Sequence, residues 1–309
     1  MPGKKKKYKL LLVNPVNRRR QGLKLDPDSI YPPMALGIIA ALTPPDWEVE
    51  ILDENFTAFE YRDADLVGLT SLTATINRCY EIATEYRKNR VPTVIGGIHA
   101  SMLPEEASRY VDAVVIGEAE DIWARVIDDF IHRRLQRFYH AKLPAMANSP
   151  SPRIDLYHPD YKFGSMQTTR GCPMKCEFCS VHTFNGSKYR LRNVGKSVDD
   201  FAAIDKERVY IVDDNFVGYS RAARNHALEF FRGIVERGAQ KQWAGSASMN
   251  IAEDEELLKW AALSGCKLIF LGIESELIDQ LEKANKSVNL RIGVDRYAEV
   301  YRKIHRYEI

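Results

Sequence analysis

The sequence predicts an α/β protein of two domains, a doubly wound parallel sheet followed by a partial (β/α) barrel. The chain has 309 residues, which is more than one ordinary hydrophobic core requires. Short apolar runs alternate with longer amphipathic segments through both halves, and a proline-rich stretch separates the halves. Such alternation is typical of parallel strands covered by helices, and the proline-rich stretch predicts a domain boundary.

The first predicted domain covers residues 1–133. Its strands are predicted at 9–13, 48–52, 66–70, 93–95 and 113–116. Its helices are predicted at 34–42, 73–90, 104–110 and 118–133. Pro32-Pro33 open the first helix and Pro44-Pro45 end it, because proline suits a first helical turn and cannot continue a helix. Five strands alternating with helices predict a flavodoxin- or Rossmann-like doubly wound sheet.

Residues 134–160 are predicted to be an extended linker, because four prolines lie there among serine, asparagine and histidine.

The second predicted domain covers residues 161–309. Its strands are predicted at 165–169, 209–212, 243–247 and 267–271. Its helices are predicted at 224–236, 254–263 and 289–305. Four strand–helix units predict part of a TIM-type barrel, whose ligands lie at the C-terminal ends of the strands.

Composition sets further expectations about partners and compartment. The net charge is only +2, so nothing in the overall charge requires a nucleic-acid partner. The basic run Lys4–Lys7 is predicted to be a solvated tail ahead of the first strand, with a weak contact to anionic membranes as the alternative. No apolar run is as long as a membrane span, and no signal peptide is visible. We therefore expect a cytoplasmic protein.

Three of the five cysteines form a compact motif. Cys172, Cys176 and Cys179 have the spacing CxxxCxxC, whereas Cys79 and Cys266 are isolated. Three thiolates on one short loop can bind three irons of a 4Fe–4S cluster, which leaves the fourth iron open to a ligand. The alternative is a zinc site with His182 as the fourth ligand, although zinc ligands usually come as pairs on separate hairpins.

A CxxxCxxC loop directly after a strand in an α/β chain resembles the radical S-adenosylmethionine family. The resemblance covers residues 161–309 and implies that the open iron binds the amino and carboxylate groups of S-adenosylmethionine. It implies an adenine contact for the aromatic residue before the third cysteine, a contact to the methionine amino group after the next strand, and a ribose contact on a later strand. The residues at these positions are Phe178, Asp213, Asp214, Ser246, Glu274 and Ser275. For the aspartate pair, a helix-capping loop is the alternative.

A doubly wound domain ahead of such a barrel resembles the cobalamin-binding subfamily. The resemblance implies that polar residues and glycines at the strand ends of the first domain contact cobalamin. These residues are Asn14, Thr70, Ser71, Gly96, Gly97, His99, Ser101, Gly117 and Glu118. The sequence lacks an Asp-x-His-x-x-Gly motif that would supply an imidazole to cobalt. His99 is therefore interpreted as a hydrogen-bonded loop histidine in preference to a cobalt ligand.

The resemblance implies an oxygen-sensitive enzyme that binds a 4Fe–4S cluster, S-adenosylmethionine and cobalamin. It would form a 5′-deoxyadenosyl radical and methylate an unactivated carbon, with an electron donor such as flavodoxin or ferredoxin. The substrate class stays open among small molecules, lipids and peptides. The alternatives are a radical rearrangement, cyclisation or coupling without methyl transfer, and a non-catalytic or redox-sensing cobalamin protein. A methylthiotransferase is disfavoured because that family has three N-terminal cysteines and this domain has only Cys79.

The predicted barrel has fewer strands than the family's barrel. We expect either a shortened chain, or a partner chain or further segment that completes the barrel, because an open parallel edge invites association.

Overall fold

The computed structural model describes residues 7–17 and 30–309, and the chain divides into two compact units. The described part of the first unit comprises 7–17, 32–144 and 150–161, and that of the second comprises 30–31, 145–149 and 162–309. Across these described residues, no helix combines the length and the apolar character needed to cross a membrane.

The first unit is built on one parallel sheet. Its strands are β1 (Lys9–Asn14), β2 (Glu48–Asp53), β3 (Leu66–Thr70), β4 (Thr93–Gly96), β5 (Ala113–Ile116) and β6 (Phe138–His140). The strand order is β2-β1-β3-β4-β5-β6, and every neighbouring pair is parallel. The sheet therefore grows in opposite directions from β1, and this order confirms the predicted doubly wound fold. The carboxyl ends of β1 and β3 form the topological switch point, where such sheets bind ligands.

Helices cover both faces of this sheet. They are α1 (Met34–Leu42), α2 (Ile76–Lys88), α3 (Ile98–Met102), α4 (Pro104–Ala107) and α5 (Trp123–Ile131), with 3-10 turns at Ala119–Asp121 and Ile154–Leu156. One core cluster packs α2 against one face of the sheet. A second cluster packs α1 and α5 against the other face. Strand β1 contributes side chains to both clusters, because successive residues of a strand point to opposite faces.

The predicted linker over 134–160 is wrong in most of its length. β6 lies inside it and pairs with β5, so the first sheet has six strands where the sequence predicted five. Residues 150–161 also pack with the first unit, and only 145–149 belong to the second. β6 has three residues and one fully buried side chain, Tyr139, which is too short a pattern for strand periodicity to reveal.

The second unit contains a four-stranded parallel sheet and a two-stranded ribbon. Its strands are β7 (Phe163–Met166), β8 (Thr169–Arg170), β9 (Arg190–Leu191), β10 (Arg208–Ile211), β11 (Gln242–Ala247) and β12 (Cys266–Leu271). The larger sheet has the order β7-β10-β11-β12, and all its pairs are parallel. Strands added one after another on the same side are the arrangement of a (β/α) barrel, which confirms the predicted partial barrel. β8 and β9 pair antiparallel beside the cysteine loop.

The helices of the second unit are α6 (Val181–Phe184), α7 (Val194–Ala203), α8 (Arg221–Glu236), α9 (Glu255–Leu263), α10 (Ile278–Lys283), α11 (Ser287–Ile292) and α12 (Tyr297–His305), with 3-10 turns at Met146–Asn148, Met249–Glu253 and Val294–Arg296. Of these, α7, α8, α9, α11 and α12 contribute side chains to the core that packs against the larger sheet. Trp243 stacks on Phe231 at a centroid distance of 5.2 Å in the centre of this core. The single helix predicted over 289–305 is wrong, because Gly293 has a φ of +90° and ends α11.

Candidate functional site

The cysteine loop follows β8 and depends on a glycine at its start. Gly171 has a φ of +90°, and a Cβ atom there would lie 2.4 Å from the carbonyl oxygen of Lys188. The next residue, Cys172, donates its backbone N–H to the carbonyl of Gly186 at 3.2 Å. The segment 185–188 therefore packs directly against the first cysteine, and only glycine allows that approach.

All three cysteines of the motif line one cavity of about 300 Å³ in the second unit. The cavity lies at the C-terminal ends of β11 and β12, where barrels bind their ligands. Four of the six residues predicted to contact S-adenosylmethionine line the same cavity, namely Phe178, Asp214, Ser246 and Glu274. The other two, Asp213 and Ser275, are not among its lining residues in the described chain. The structure thus brings together side chains that are separated by up to 102 positions in the sequence.

The two neighbouring aspartates after β10 have different surroundings. Asp213 is only 2% exposed, and its carboxylate accepts hydrogen bonds from the backbone N–H and hydroxyl of Thr168 and from the hydroxyl of Thr169. Burial raises the pKa of Asp213 to about 6, and these hydrogen bonds oppose the increase. Asp213 therefore ties β10 to the chain after β7, whereas Asp214 faces the cavity and accepts the N–H of Gly171 at 3.3 Å.

The strand-end residues of β12 also separate into cavity and scaffold positions. Glu274 lines the cavity with a left-handed backbone φ of +65°, which is uncommon for a residue other than glycine. Its neighbour Ser275 accepts the N–H of Leu277 on its hydroxyl at 3.0 Å and the hydroxyl hydrogen of Tyr297 on its carbonyl at 3.1 Å. Ser275 therefore shapes the turn after β12, and Glu274 presents its carboxylate to the cavity.

Sequence reasoning missed several residues of this cavity, including Met174, Asn215, Tyr219, Ser248, Phe270 and Lys286. Ser248 accepts a hydrogen bond from the side-chain amide of Asn215 at 3.2 Å and is hydrogen-bonded to the hydroxyl of Tyr219. Burial raises the pKa of Tyr219 to about 12, so its hydroxyl is neutral at physiological pH. Ser248 follows the predicted Ser246 by two positions, and that spacing was the available signal. No sequence signal pointed to Lys286, because this residue lies in a turn after a helix that the sequence did not predict.

The first unit places its predicted residues at the carboxyl edge of the sheet. Ser71 donates its hydroxyl to the carbonyl of Gly96 at 2.8 Å and accepts the N–H of Ala100 at 3.2 Å. Gly97 has a φ of +96°, and a Cβ atom there would lie 2.6 Å from the carbonyl oxygen of Ser71. The loops after β3 and β4 are therefore in close backbone contact beside the switch point.

The other predicted strand-end residues extend the same edge. Ser101 donates its hydroxyl to Gly97 and accepts the N–H of Gly117 at 3.0 Å, which joins the loops after β4 and β5. Asn14 donates its amide to Asp53 at 3.1 Å, which joins the ends of β1 and β2. Thr70 is the last residue of β3, and Glu118 is buried directly after Gly117. Their roles toward a ligand stay predictions.

His99 is buried, and both of its ring nitrogens have partners. Nδ1 lies 3.1 Å from the hydroxyl of Thr73, and Nε2 lies 3.5 Å from the carboxylate of Glu106. These contacts fit the interpretation of His99 as a hydrogen-bonded loop histidine.

Comparison with known proteins finds similar sequences for both units of the chain. Residues 22–127 match the family model for a B12 binding domain. The chain is 32% identical over 304 residues to the bacteriochlorophyllide d C-8(2)-methyltransferase of Chlorobaculum tepidum, a match that covers 91% of this chain and 65% of that relative. The chain is thus similar to cobalamin-binding radical S-adenosylmethionine enzymes over most of its length. It spans slightly less than two thirds of the length of that methyltransferase.

Solved structures of cobalamin-dependent radical S-adenosylmethionine enzymes share this fold. OxsB with aqua-cobalamin bound superposes with a TM-score of 0.77 at 17% identity, over 98% of this chain and 48% of OxsB. The radical S-adenosylmethionine methyltransferase TsrM from Kitasatospora setae, with tryptophan and a S-adenosylmethionine analogue bound, superposes with a TM-score of 0.76 at 21% identity. That match covers 98% of this chain and 66% of TsrM.

The donor set of the cavity fits the iron–sulfur cluster of the family. Burial raises the pKa of the Cys172 and Cys176 thiols, so coordination to metal is what would hold them as thiolates. Among the described residues, no three His, Cys, Asp or Glu side chains are grouped as ligands of a single metal ion, and His182 does not line the cavity. The zinc arrangement is therefore not formed in this part of the chain. Each thiolate of a cubane binds a different iron, so three cysteines that line one cavity need not converge on a single metal ion.

Proposed function

We propose that this chain is the cobalamin- and S-adenosylmethionine-binding part of a radical enzyme that methylates an unactivated carbon. The observation that carries the proposal is the single cavity lined by Cys172, Cys176 and Cys179 together with Phe178 and Glu274. The match of residues 22–127 to a B12 binding domain and the methyltransferase names of the relatives support it. When bound, the 4Fe–4S cluster would supply the electron that cleaves S-adenosylmethionine, and cobalamin would supply the methyl group.

The chain's own residues would hold and orient these groups. The three thiolates would hold three irons, and the exposed ring of Phe178 would stack on an adenine. Asp214 would accept hydrogen bonds from an ammonium group, and Ser246 or Glu274 from ribose hydroxyls. In the first unit, the backbone of Gly97 and Gly117 would approach a large ligand closely, because neither residue has a side chain.

We also propose a reducing, cytoplasmic setting and a small one-electron protein as the reductant. The five cysteines are all free, and thiols persist as metal ligands where disulfides do not form. A flavodoxin or ferredoxin would supply the electron. The substrate is proposed only as a molecule with an unactivated carbon–hydrogen bond.

The first experiment is anaerobic iron and sulfide analysis with electron paramagnetic resonance on the reduced, reconstituted chain. We expect about four irons per chain and a cubane signal, both lost in the triple variant Cys172→Ala/Cys176→Ala/Cys179→Ala. The matched control is Cys79→Ala/Cys266→Ala, which removes the two buried cysteines outside the cavity and should keep the signal. Zinc without iron in the wild-type chain would refute the proposal.

The cobalamin half has its own test. Incubation with hydroxocobalamin followed by desalting should leave a corrin absorbance band. The binding should weaken at least tenfold in Gly97→Val, because the valine side chain would overlap the backbone of Ser71.

Methyl transfer itself would be refuted by a product without added methyl mass while 5′-deoxyadenosine accumulates. That result would favour a rearrangement, cyclisation or coupling.

A further inference from the structure

A turn between α10 and α11 supports the cysteine loop from outside the motif. We call residues 284–286 the support turn. Its first residue, Ala284, accepts the backbone N–H of Glu177 at 3.1 Å, and the side-chain amide of Asn285 donates to the carbonyl of Lys175 at 2.9 Å. These two contacts hold the residues on either side of Cys176. A change in the support turn is therefore transmitted to the second cysteine.

The support turn also carries a charge into the cavity. The ammonium of Lys286 lies 2.8 Å from a carboxylate oxygen of Glu274 and 5.6 Å from the centroid of the Phe178 ring. The Lys286 side chain is 13% exposed and that of Glu274 is 35% exposed, and both line the cavity with the three cysteines. Neither charge is fully screened by water, because the pair lies in a partly enclosed space.

Lys286 and Glu274 line the same cavity of about 300 Å³ as the three cysteines of the motif. A cluster held by these cysteines would therefore lie close to both charges. Reduction of a 4Fe–4S cluster from the 2+ to the 1+ state adds one electron, so a nearby cation favours the reduced state and a nearby anion opposes it.

We infer that the Lys286–Glu274 pair sets the reduction potential of the cluster held by Cys172, Cys176 and Cys179. This inference rests on the proposed function, because it requires that cluster. Lys286 makes the site easier to reduce, and Glu274 limits that effect. Lys286 is thus a positioning residue that adjusts the reduction potential of the cluster, and the cysteine motif does not reveal it.

The test is a redox titration of the reconstituted 309-residue chain without S-adenosylmethionine, using dithionite, mediators and the electron paramagnetic resonance signal of the reduced cluster. Lys286→Met should lower the reduction equilibrium constant at least tenfold, which is 59 mV for a one-electron couple. Glu274→Gln should raise it, and the double variant should fall between the two single variants. Lys286→Arg, which keeps the charge, should remain near the wild type.

The matched control is Lys283→Met in the preceding helix. Lys283 is 72% exposed and lies 3.6 Å from Asp279, so it also belongs to an ion pair, but it does not line the cavity. Its removal should leave the potential unchanged, because water and salt screen an exposed charge.

Opposite shifts in Lys286→Met and Glu274→Gln at equal iron content would support the inference, because general damage to the loop moves both variants in one direction. Shifts in the same direction, or a Lys286→Met shift no larger than that of Lys283→Met, would overturn it while the proposed function stands. A wild-type chain that binds no iron would overturn the proposed function, and this inference with it.

Discussion

At the scale of single residues, the loops that follow the strands decide which side chains face the cavity lined by the three cysteines. The pair Asp213-Asp214 shows the limit of sequence reasoning. Both aspartates follow a strand, yet one is buried against Thr168 and the other faces the cavity. The direction of a side chain in a strand-end loop depends on the backbone of that loop, which residue type and spacing do not specify. Lys286 was missed because it lies in a turn after a helix that the sequence did not predict.

Gly171 gives a prediction at this scale. Gly171→Ala should bind several-fold less iron than the wild type, because its Cβ would lie 2.4 to 3.0 Å from three backbone carbonyl oxygens of residues 185–188. The loop would have to move, and Cys172 would move with it. Iron content after anaerobic reconstitution measures this effect.

The control for this prediction is Gly238→Ala. Gly238 also has a positive φ, of +66°, but its Cβ would have nothing within 4 Å. That substitution should cost about 1 kcal/mol of backbone strain and leave the iron content unchanged. Equal iron loss in both variants would mean that strain alone, and not the packing of the cysteine loop, is responsible.

At the scale of elements, regular strands and long amphipathic helices were predictable, and short or interrupted elements were not. Strands β1 to β5 have buried apolar runs with clear ends, and their predicted bounds agree with the structure within one residue. β6 has too few residues for a periodic pattern. The break between α11 and α12 depends on the conformation of Gly293, and a lone glycine in a helical pattern does not by itself predict a break.

The start of α9 gives a prediction for an element. Asp254 caps this helix by accepting the N–H of Leu257 at 3.0 Å, and it also pairs with Arg224 of α8. Asp254→Ala should lower the free energy of unfolding by about 1–2 kcal/mol, from the cap and the partly exposed ion pair together. Asp254→Ser should recover about half of that loss, since serine caps without pairing. Urea unfolding at pH 7 measures both variants.

The same aspartate has a pH signature. Its hydrogen bonds with Arg224 hold the pKa of Asp254 below its ordinary value. The carboxylate therefore contributes stability that is fully present above the ordinary pKa of about 3.9 and is lost as pH falls through the lower folded value. The stability difference between wild type and Asp254→Ala should shrink below pH 4. A difference that stays constant down to pH 3 would contradict this assignment.

At the scale of the whole molecule, the chain is organised as two units with separate cores, and the predicted linker is largely part of the first. The segment 150–161 ends at Tyr161, which is fully buried and donates its hydroxyl to Asp53 at the end of β2. Asp53 also accepts the side-chain amides of Asn14 and Asn55. His158 stacks on Phe56 at 4.2 Å between ring centroids. Sequence alone suggested a linker because three prolines lie in this segment, and these long-range contacts have no local signal.

Tyr161→Phe should therefore destabilise the first unit specifically. It removes one donor from the buried Asp53 carboxylate, which costs about 1–3 kcal/mol. Hydrogen exchange of the β1 and β2 amides should become faster by the factor that corresponds to this loss of stability. The β10 and β11 amides lie in a separate core and serve as the internal reference. Tyr157→Phe is the control, because the Tyr157 hydroxyl is buried without a hydrogen-bond partner among the described residues, so its loss should be neutral or stabilising. Unchanged exchange in Tyr161→Phe, or equal acceleration in β10, would show that the segment does not hold the first unit together.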